Sequence, residues 1–223
     1  MYRPRLLDVF CGAGGAAMGY HRAGFEVVGV DIRPQPRFPF EFVQADALEY
    51  LSETLADGFD HVHASPPCQH YSIMRNLPWL KGREYWDSVP PTRAALVAVD
   101  KPWTLENVQG APVDGITLCG QMFGLQWDDG RPIYRHRRFE STTFMLAPGH
   151  PRHRGVISPG PNLGGRAHAG AGNGRMVVNG RSRVAPNAIG IDWMTGTERS
   201  QAIPPAYTEW IGLQLLASME AAA

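Results

Sequence analysis

Leu6-Leu7-Asp8-Val9-Phe10-Cys11-Gly12-Ala13-Gly14-Gly15 decides the fold. Its first half is a short apolar run of the kind that forms a buried strand. Its second half is a glycine-rich turn, and the small residues Ala16 to Ala23 are helix-permissive until Gly24 stops them. Strand, glycine turn and helix make an opening α/β unit whose turn lets backbone approach a ligand closely. Working outward, Glu26 to Asp31 reads as a second strand ending on an acid. Phe42 to Asp46 reads as a third, again ending on an acid, with a helix over Ala47 to Leu55. His61 to Ala64 is a fourth strand, Thr92 to Val99 a helix, and Pro102 to Glu106 a fifth strand. Alternation at this spacing predicts an α/β, doubly wound, mainly parallel sheet.

Residues 69–91 carry few periodic signals and suit a lid or substrate loop. The texture changes after Phe144: ten glycines and four prolines fall between Gly149 and Gly190. Val177-Val178 is the strand-like pair there, with a turn expected at Asn179-Gly180. Pro204-Pro205 then opens a C-terminal helix with Tyr207, Trp210, Ile211, Leu213, Leu215 and Leu216 as its apolar face. The expected organisation is a main domain over 1–145, a small irregular insert over 146–188, and a segment over 189–223 that returns to the main domain.

A chain of 223 residues with 43% apolar content can bury one full core. No apolar run approaches the ~18 residues of a membrane span. The first residues run straight into a strand without a signal-peptide core, and three cysteines make no disulfide framework. A cytoplasmic monomer with no membrane contact and no obligate protein partner is expected. The zero net charge hides an asymmetry: residues 141–191 hold six arginines and no acid, leaving 15 basic and 21 acidic residues elsewhere. That stretch suits a polyanion, and equally a solvated loop.

Chemistry concentrates at the predicted strand ends. In Pro66-Pro67-Cys68-Gln69, two prolines fix the backbone before a thiol at the carboxyl end of the fourth strand, where a thiolate is a candidate nucleophile. Glu106 ends the neighbouring fifth strand. Asp31 could accept hydrogen bonds from ribose hydroxyls, and Asp46 from an adenine amino group. The turn lacks the full G-x-G-x-x-G order, and Asp8 on the strand before it suits a cationic ligand; both favour S-adenosylmethionine over a dinucleotide. His61 and His63 share a strand face without a third metal ligand at usual spacing, and read as packing. His150 and His153 read as phosphate contacts or solvated residues, Cys119 as core, and no metal site is expected.

These stretches together resemble the cytosine-C5 DNA methyltransferases. The chain matches that family's Asp-x-Phe-x-Gly-x-Gly-Gly at Asp8, Phe10, Gly12, Gly14 and Gly15, and its Pro-Pro-Cys at Cys68. Gln69-His70-Tyr71-Ser72 follows its Gln-x-Phe-Ser, Glu106-Asn107-Val108 its Glu-Asn-Val, and Arg135-His136-Arg137 its Arg-x-Arg. The resemblance implies an S-adenosylmethionine-dependent methyltransferase with a Rossmann-like fold acting on double-stranded DNA. It implies Cys68, Glu106, Arg135 and Arg137 as catalytic residues. It implies cofactor contacts from Phe10 to adenine, Asp31 to ribose and Asp46 to the adenine edge, with Asp8, Gly12, Gly14, Gly15 and Pro66 completing the set. Gln201 and Ala202 would line the pocket from Ser200-Gln201-Ala202-Ile203-Pro204-Pro205, which stands where the family has Gly-Asn-x-Val-Pro-Pro. Two departures stand out. Ile133 occupies the position of the family's glutamine, which leaves a register using Arg138 open. The target-recognition region is only some fifty residues, which implies short or relaxed sequence specificity. The same chemistry on RNA or a cytosine nucleotide, and an idle cofactor-binding DNA-binding protein, are the alternatives.

Overall fold

The computed structural model describes residues 3–54, 56–80, 82–126, 130, 132–153, 165–166, 177–178 and 186–222. The main sheet has seven strands: β1 (Arg5–Val9), β2 (Glu26–Asp31), β3 (Glu41–Gln44), β4 (His61–Ala64), β5 (Trp103–Asn107), β6 (Ile116–Leu118) and β7 (Arg137–Ser141). Their order is β3-β2-β1-β4-β5-β7-β6. The first five run parallel, with Leu7 opposite Val28 and Val62 in the registers of β1. β7 inserts antiparallel between β5 and β6, so Glu106 faces Phe139 and Leu118 faces Arg137. Neither β6 nor β7 is expected from the sequence, because short strands of mixed polarity carry no clear period.

Residues along β1 alternate between two cores, as strand geometry requires. Leu7 and Val9 join Val28, Val30, Val62, Ala64 and Leu105 beneath α2 (Ala47–Thr54) and α3 (Val89–Ala98). Leu6 joins Tyr20, Phe25, Phe139, Tyr207, Ile211 and Leu215 on the other face, beneath α1 (Gly15–Ala23) and α5 (Pro205–Ala222). The doubly wound α/β sheet is therefore as expected. The face of α5 is narrower than its sequence suggests: Tyr207, Ile211 and Leu215 are buried at a spacing of four, while Trp210 and Leu213 are exposed. Before α5 lies a short helix, α4 (Gly196–Gln201), capped by Thr195, whose hydroxyl accepts from the Glu198 amide while Glu198 reaches back to the Thr195 amide.

α1 and α5 approach closely because both are lined by small residues. A Cβ on Gly19 would lie 2.0 Å from Thr208 Oγ1 and 2.1 Å from the Pro205 carbonyl oxygen. The described residues of 69–88 include two 3-10 turns, Ile73–Asn76 and Pro78–Leu80, before α3. Val177–Val178 is a strand (β9) pairing antiparallel with β8 (Gly165–Arg166). The expected turn at Asn179-Gly180 and the expected helix end at Leu55 lie outside the described residues, as does most of the glycine-rich stretch. Among the described residues no helix is long and apolar enough to cross a membrane.

Candidate active site

The carboxyl ends of β1, β2, β4 and β5 converge on one edge of the sheet, where a parallel α/β fold opens a crevice. Cys68 follows β4 by four residues. Its carbonyl accepts from the Tyr71 and Ser72 amides at 3.1 and 2.9 Å, which folds the chain tightly after the prolines. The segment is tied from both sides: Asn107 Nδ2 donates to the Pro66 carbonyl at 2.9 Å, and Ser88 Oγ donates to the Pro67 carbonyl at 2.8 Å. Pro66, expected at a cofactor, thus anchors the thiol loop to β5 through its carbonyl. Asn107 is visible in the sequence beside Glu106, but its task as that anchor is not.

Glu106 is buried at the end of β5, with Arg137 Nε 3.0 Å from its Oε1. The pair is close in charge but not aligned as a hydrogen bond, so Oε1 has no hydrogen-bond partner among the described residues. Burial pushes the carboxyl up to about 7, and Arg137 and Arg135 only partly oppose it. Cys68 shares this environment: burial raises its pKa, Arg137 lowers it, Glu106 raises it and Arg135 lowers it. The structure therefore brings Cys68, Glu106, Arg135 and Arg137 into one electrostatic cluster. Arg137 turns toward Glu106, whereas Arg138, one residue on and on the opposite strand face, lies 3.6 Å from Asp114. Arg135 donates from Nη2 to the carbonyls of Ser200 and Ala202 at 2.7 and 2.6 Å, so it also braces the segment before α5. Burial and the Arg137 charge push its pKa down, yet a guanidinium stays charged in proteins. Ile133 is core, 2% exposed.

The glycine turn lies at the end of β1. Phe10 has a φ of +60°, strained for a side-chain-bearing residue, and its ring lies 6.4 Å from Trp86. Gly12 has a φ of +50°, and a Cβ there would meet nothing within 4 Å, which leaves open space in front of the turn. Asp31 Oδ2 accepts from the Gly12 amide at 3.0 Å, so this acid shapes the turn. Asp46 Oδ1 accepts from the Leu48 and Glu49 amides at 2.9 and 3.2 Å and caps α2. Gly14 and Gly15 meet packing demands: a Cβ on Gly14 would strike Pro39 and Phe38, and one on Gly15 the Ile203 carbonyl at 2.5 Å. Ala202 lies beside Gly15, while Gln201 is exposed. Trp193, for which the sequence offers no local signal, donates from Nε1 to the Ala13 carbonyl at 2.8 Å.

Asp8 is wholly buried, and neither carboxylate oxygen has a hydrogen-bond partner among the described residues. Burial pushes its pKa well up; the Ala17 amide, outside strict hydrogen-bond geometry, pulls the other way, and the Asp31 and Glu106 charges add to the rise. His63 shares its side of the sheet, hydrogen-bonded from Nδ1 to Tyr20 Oη at 3.0 Å, and His61 Nε2 bonds Thr104 Oγ1 at 2.9 Å. Burial holds both histidines neutral, with pKa values near 3. Their reading as packed strand histidines fits this geometry. Cys119 is core, as read, but it has a partner: its Sγ lies 3.2 Å from His153 Nε2.

No family model matches the chain. It is 28% identical over 116 residues to the type II methyltransferase M.FnuDI of Fusobacterium nucleatum, a match covering 48% of this chain and 33% of that protein. The chain thus spans about a third of the length of that relative. Among solved structures, the methyltransferase EhMeth of Entamoeba histolytica superposes with a TM-score of 0.51 at 11% identity, covering 98% of this chain and 99% of that one. The fold is a methyltransferase fold. The S. pombe Dnmt2 methyltransferase aligns over 63% of this chain and 49% of its own at a TM-score of 0.42 and 19% identity.

Proposed function

We propose that this chain is a DNA (cytosine-5-)-methyltransferase that uses S-adenosylmethionine and works through a covalent adduct between Cys68 and C6 of the base. The observation that carries the reading is the cluster of a loop-anchored thiol, a buried carboxyl raised to about 7 and two arginines at neighbouring strand ends. The partial match to a type II methyltransferase supports DNA as the substrate. Open space at Gly12 and the strained Phe10 suit a nucleoside cofactor.

C5 of cytosine is too weak a nucleophile by itself. The Cys68 thiolate adds to C6 and converts the ring into an enamine with electron density at C5. Glu106, carrying or sharing a proton with N3, bridges N3 and the exocyclic amine and takes up charge as the ring accepts the thiolate. Arg137 steadies both Glu106 and the thiolate. When bound, S-adenosylmethionine supplies an electrophilic methyl group on a sulfonium. Loss of the C5 proton to a base then expels the Cys68 sulfur from C6 and restores the aromatic ring. The target must leave the DNA stack to reach the thiol.

The test is expression of the wild type and Cys68→Ala in a host lacking cytosine methylation, with 5-methylcytosine measured in digested genomic DNA. Signal in the wild type alone is expected. Signal in neither protein, with both folded and binding S-adenosylmethionine, rejects the DNA reading and turns attention to RNA or a nucleotide.

A further inference from the structure

We infer that Cys119, His136, His150 and His153 form a zinc site at the β6–β7 edge of the sheet. The four side chains each offer a donor atom, and all four donors lie within 4.8 Å of one another. Cys119 Sγ is 3.2 Å from His153 Nε2, and His136 Nε2 is 3.1 Å from His150 Nε2. A tetrahedron of zinc–nitrogen and zinc–sulfur bonds of about 2.0 to 2.3 Å has donor–donor edges of roughly 3.3 to 3.7 Å, so small adjustments admit the ion. One thiolate and three imidazoles select zinc over the oxygen-seeking cations.

Several features fit a metal better than a cluster of solvated histidines. Two imidazole Nε2 atoms face each other, and a thiol faces a third; none of the four groups is a carboxylate that would balance charged imidazoles. His150 Nδ1 bonds the Pro151 carbonyl at 2.9 Å, which puts the proton on Nδ1 and leaves Nε2 its lone pair toward the cluster. That outer hydrogen bond is the usual partner of a metal-bound histidine. His153 is held in place by stacking on Tyr134, with ring centres 3.9 Å apart and planes 18° from parallel.

The topology explains why these residues meet. Cys119 directly follows β6 and His136 directly precedes β7, one step beyond the Leu118–Arg137 pair of the antiparallel ladder. His150 and His153 come from the chain leaving β7. Sequence spacings of 17, 14 and 3 residues match no common zinc pattern, which is why the set is invisible until the sheet forms. A bound ion would staple the base of the arginine-bearing stretch to the sheet edge and hold His136 between Arg135 and Arg137. The site stands independently of the methyl-transfer reading.

The experiment is metal analysis of the full chain, purified without a histidine tag from zinc-supplemented medium, followed by cobalt titration of the metal-free protein. About one zinc per chain is expected, with a thiolate-to-cobalt charge-transfer band on titration. Cys119→Ser should abolish that band, and His150→Ala, at an exposed position, should cut metal content at least fivefold while circular dichroism shows a retained fold. His21→Ala, outside the cluster, should keep its zinc. Trace metal in the wild type together with no charge-transfer band overturns the site. So does full zinc content in both cluster variants, which would put the ion elsewhere.

Discussion

At Glu106, burial and two arginines pull in opposite directions, and burial prevails. The consequence for stability has a definite sign. A carboxyl whose folded pKa is about 7 against an ordinary 4.5 favours the folded state most below 4.5, and that contribution is lost as pH rises through 7. Glu106→Gln removes the titration, so its stability relative to wild type should rise between these pH values, by about 1–3 kcal/mol. Urea unfolding at pH 5 and pH 8 checks this; a constant difference contradicts the raised pKa. The same carboxylate opposes ionisation of Cys68, while Arg137 promotes it. Glu106→Gln should therefore speed iodoacetamide labelling of Cys68, and Arg137→Met should slow it, each by roughly threefold to tenfold at pH 7.5. Cys68 is the thiol to follow, since Cys11 and Cys119 are buried.

At the scale of elements, the packing of α1 on α5 depends on a missing side chain. Helix propensity alone predicts that Gly19→Ala stabilises α1 by about 1 kcal/mol. The added Cβ would instead meet Thr208 Oγ1 and the Pro205 carbonyl at about 2 Å, where backbone cannot yield. Steric cost should win, giving a net loss of about 2–3 kcal/mol in denaturant unfolding. The opposite sign would mean that the helices slide apart freely. The cap of α4 offers a milder case. Thr195→Ala removes one half of a reciprocal pair and should cost about 1 kcal/mol, visible as a lower urea midpoint. Because the last turn and C-cap of α4 carry Ser200 and Ala202, whose carbonyls hold Arg135, loosening it should also disturb the candidate site.

For the whole molecule, neutrality conceals an uneven distribution of charge. The acid-free stretch over 141–191 carries six arginines, while the remainder is acidic on balance. If that stretch meets the DNA backbone, affinity must fall with salt through counterion release. Arg181→Gln with Arg183→Gln should reduce the slope of log affinity against log salt by about 2, one unit for each phosphate left unneutralised. Fluorescence anisotropy across a salt series reads this directly. An unchanged slope would assign those arginines to solvent.

Local chemistry determined what was legible in the sequence. The apolar runs, the glycines after Phe10 and the acids at strand ends act within a few residues of themselves, so the parallel sheet and the places of Cys68, Glu106 and Asp31 could be read directly. Even there, the structure gives these acids local work: Asp46 caps α2 and Asp31 holds the Gly12 amide. Tertiary structure alone decided the rest. The antiparallel insertion of β7 chose Arg137 over Arg138 as the partner of Glu106. Packing of Ile203 explains Gly15, and the sheet edge gathers Cys119 with three histidines. These pairings join residues far apart in the chain, and their energy exists only after the sheet has closed the loops between them, so no local period announces them.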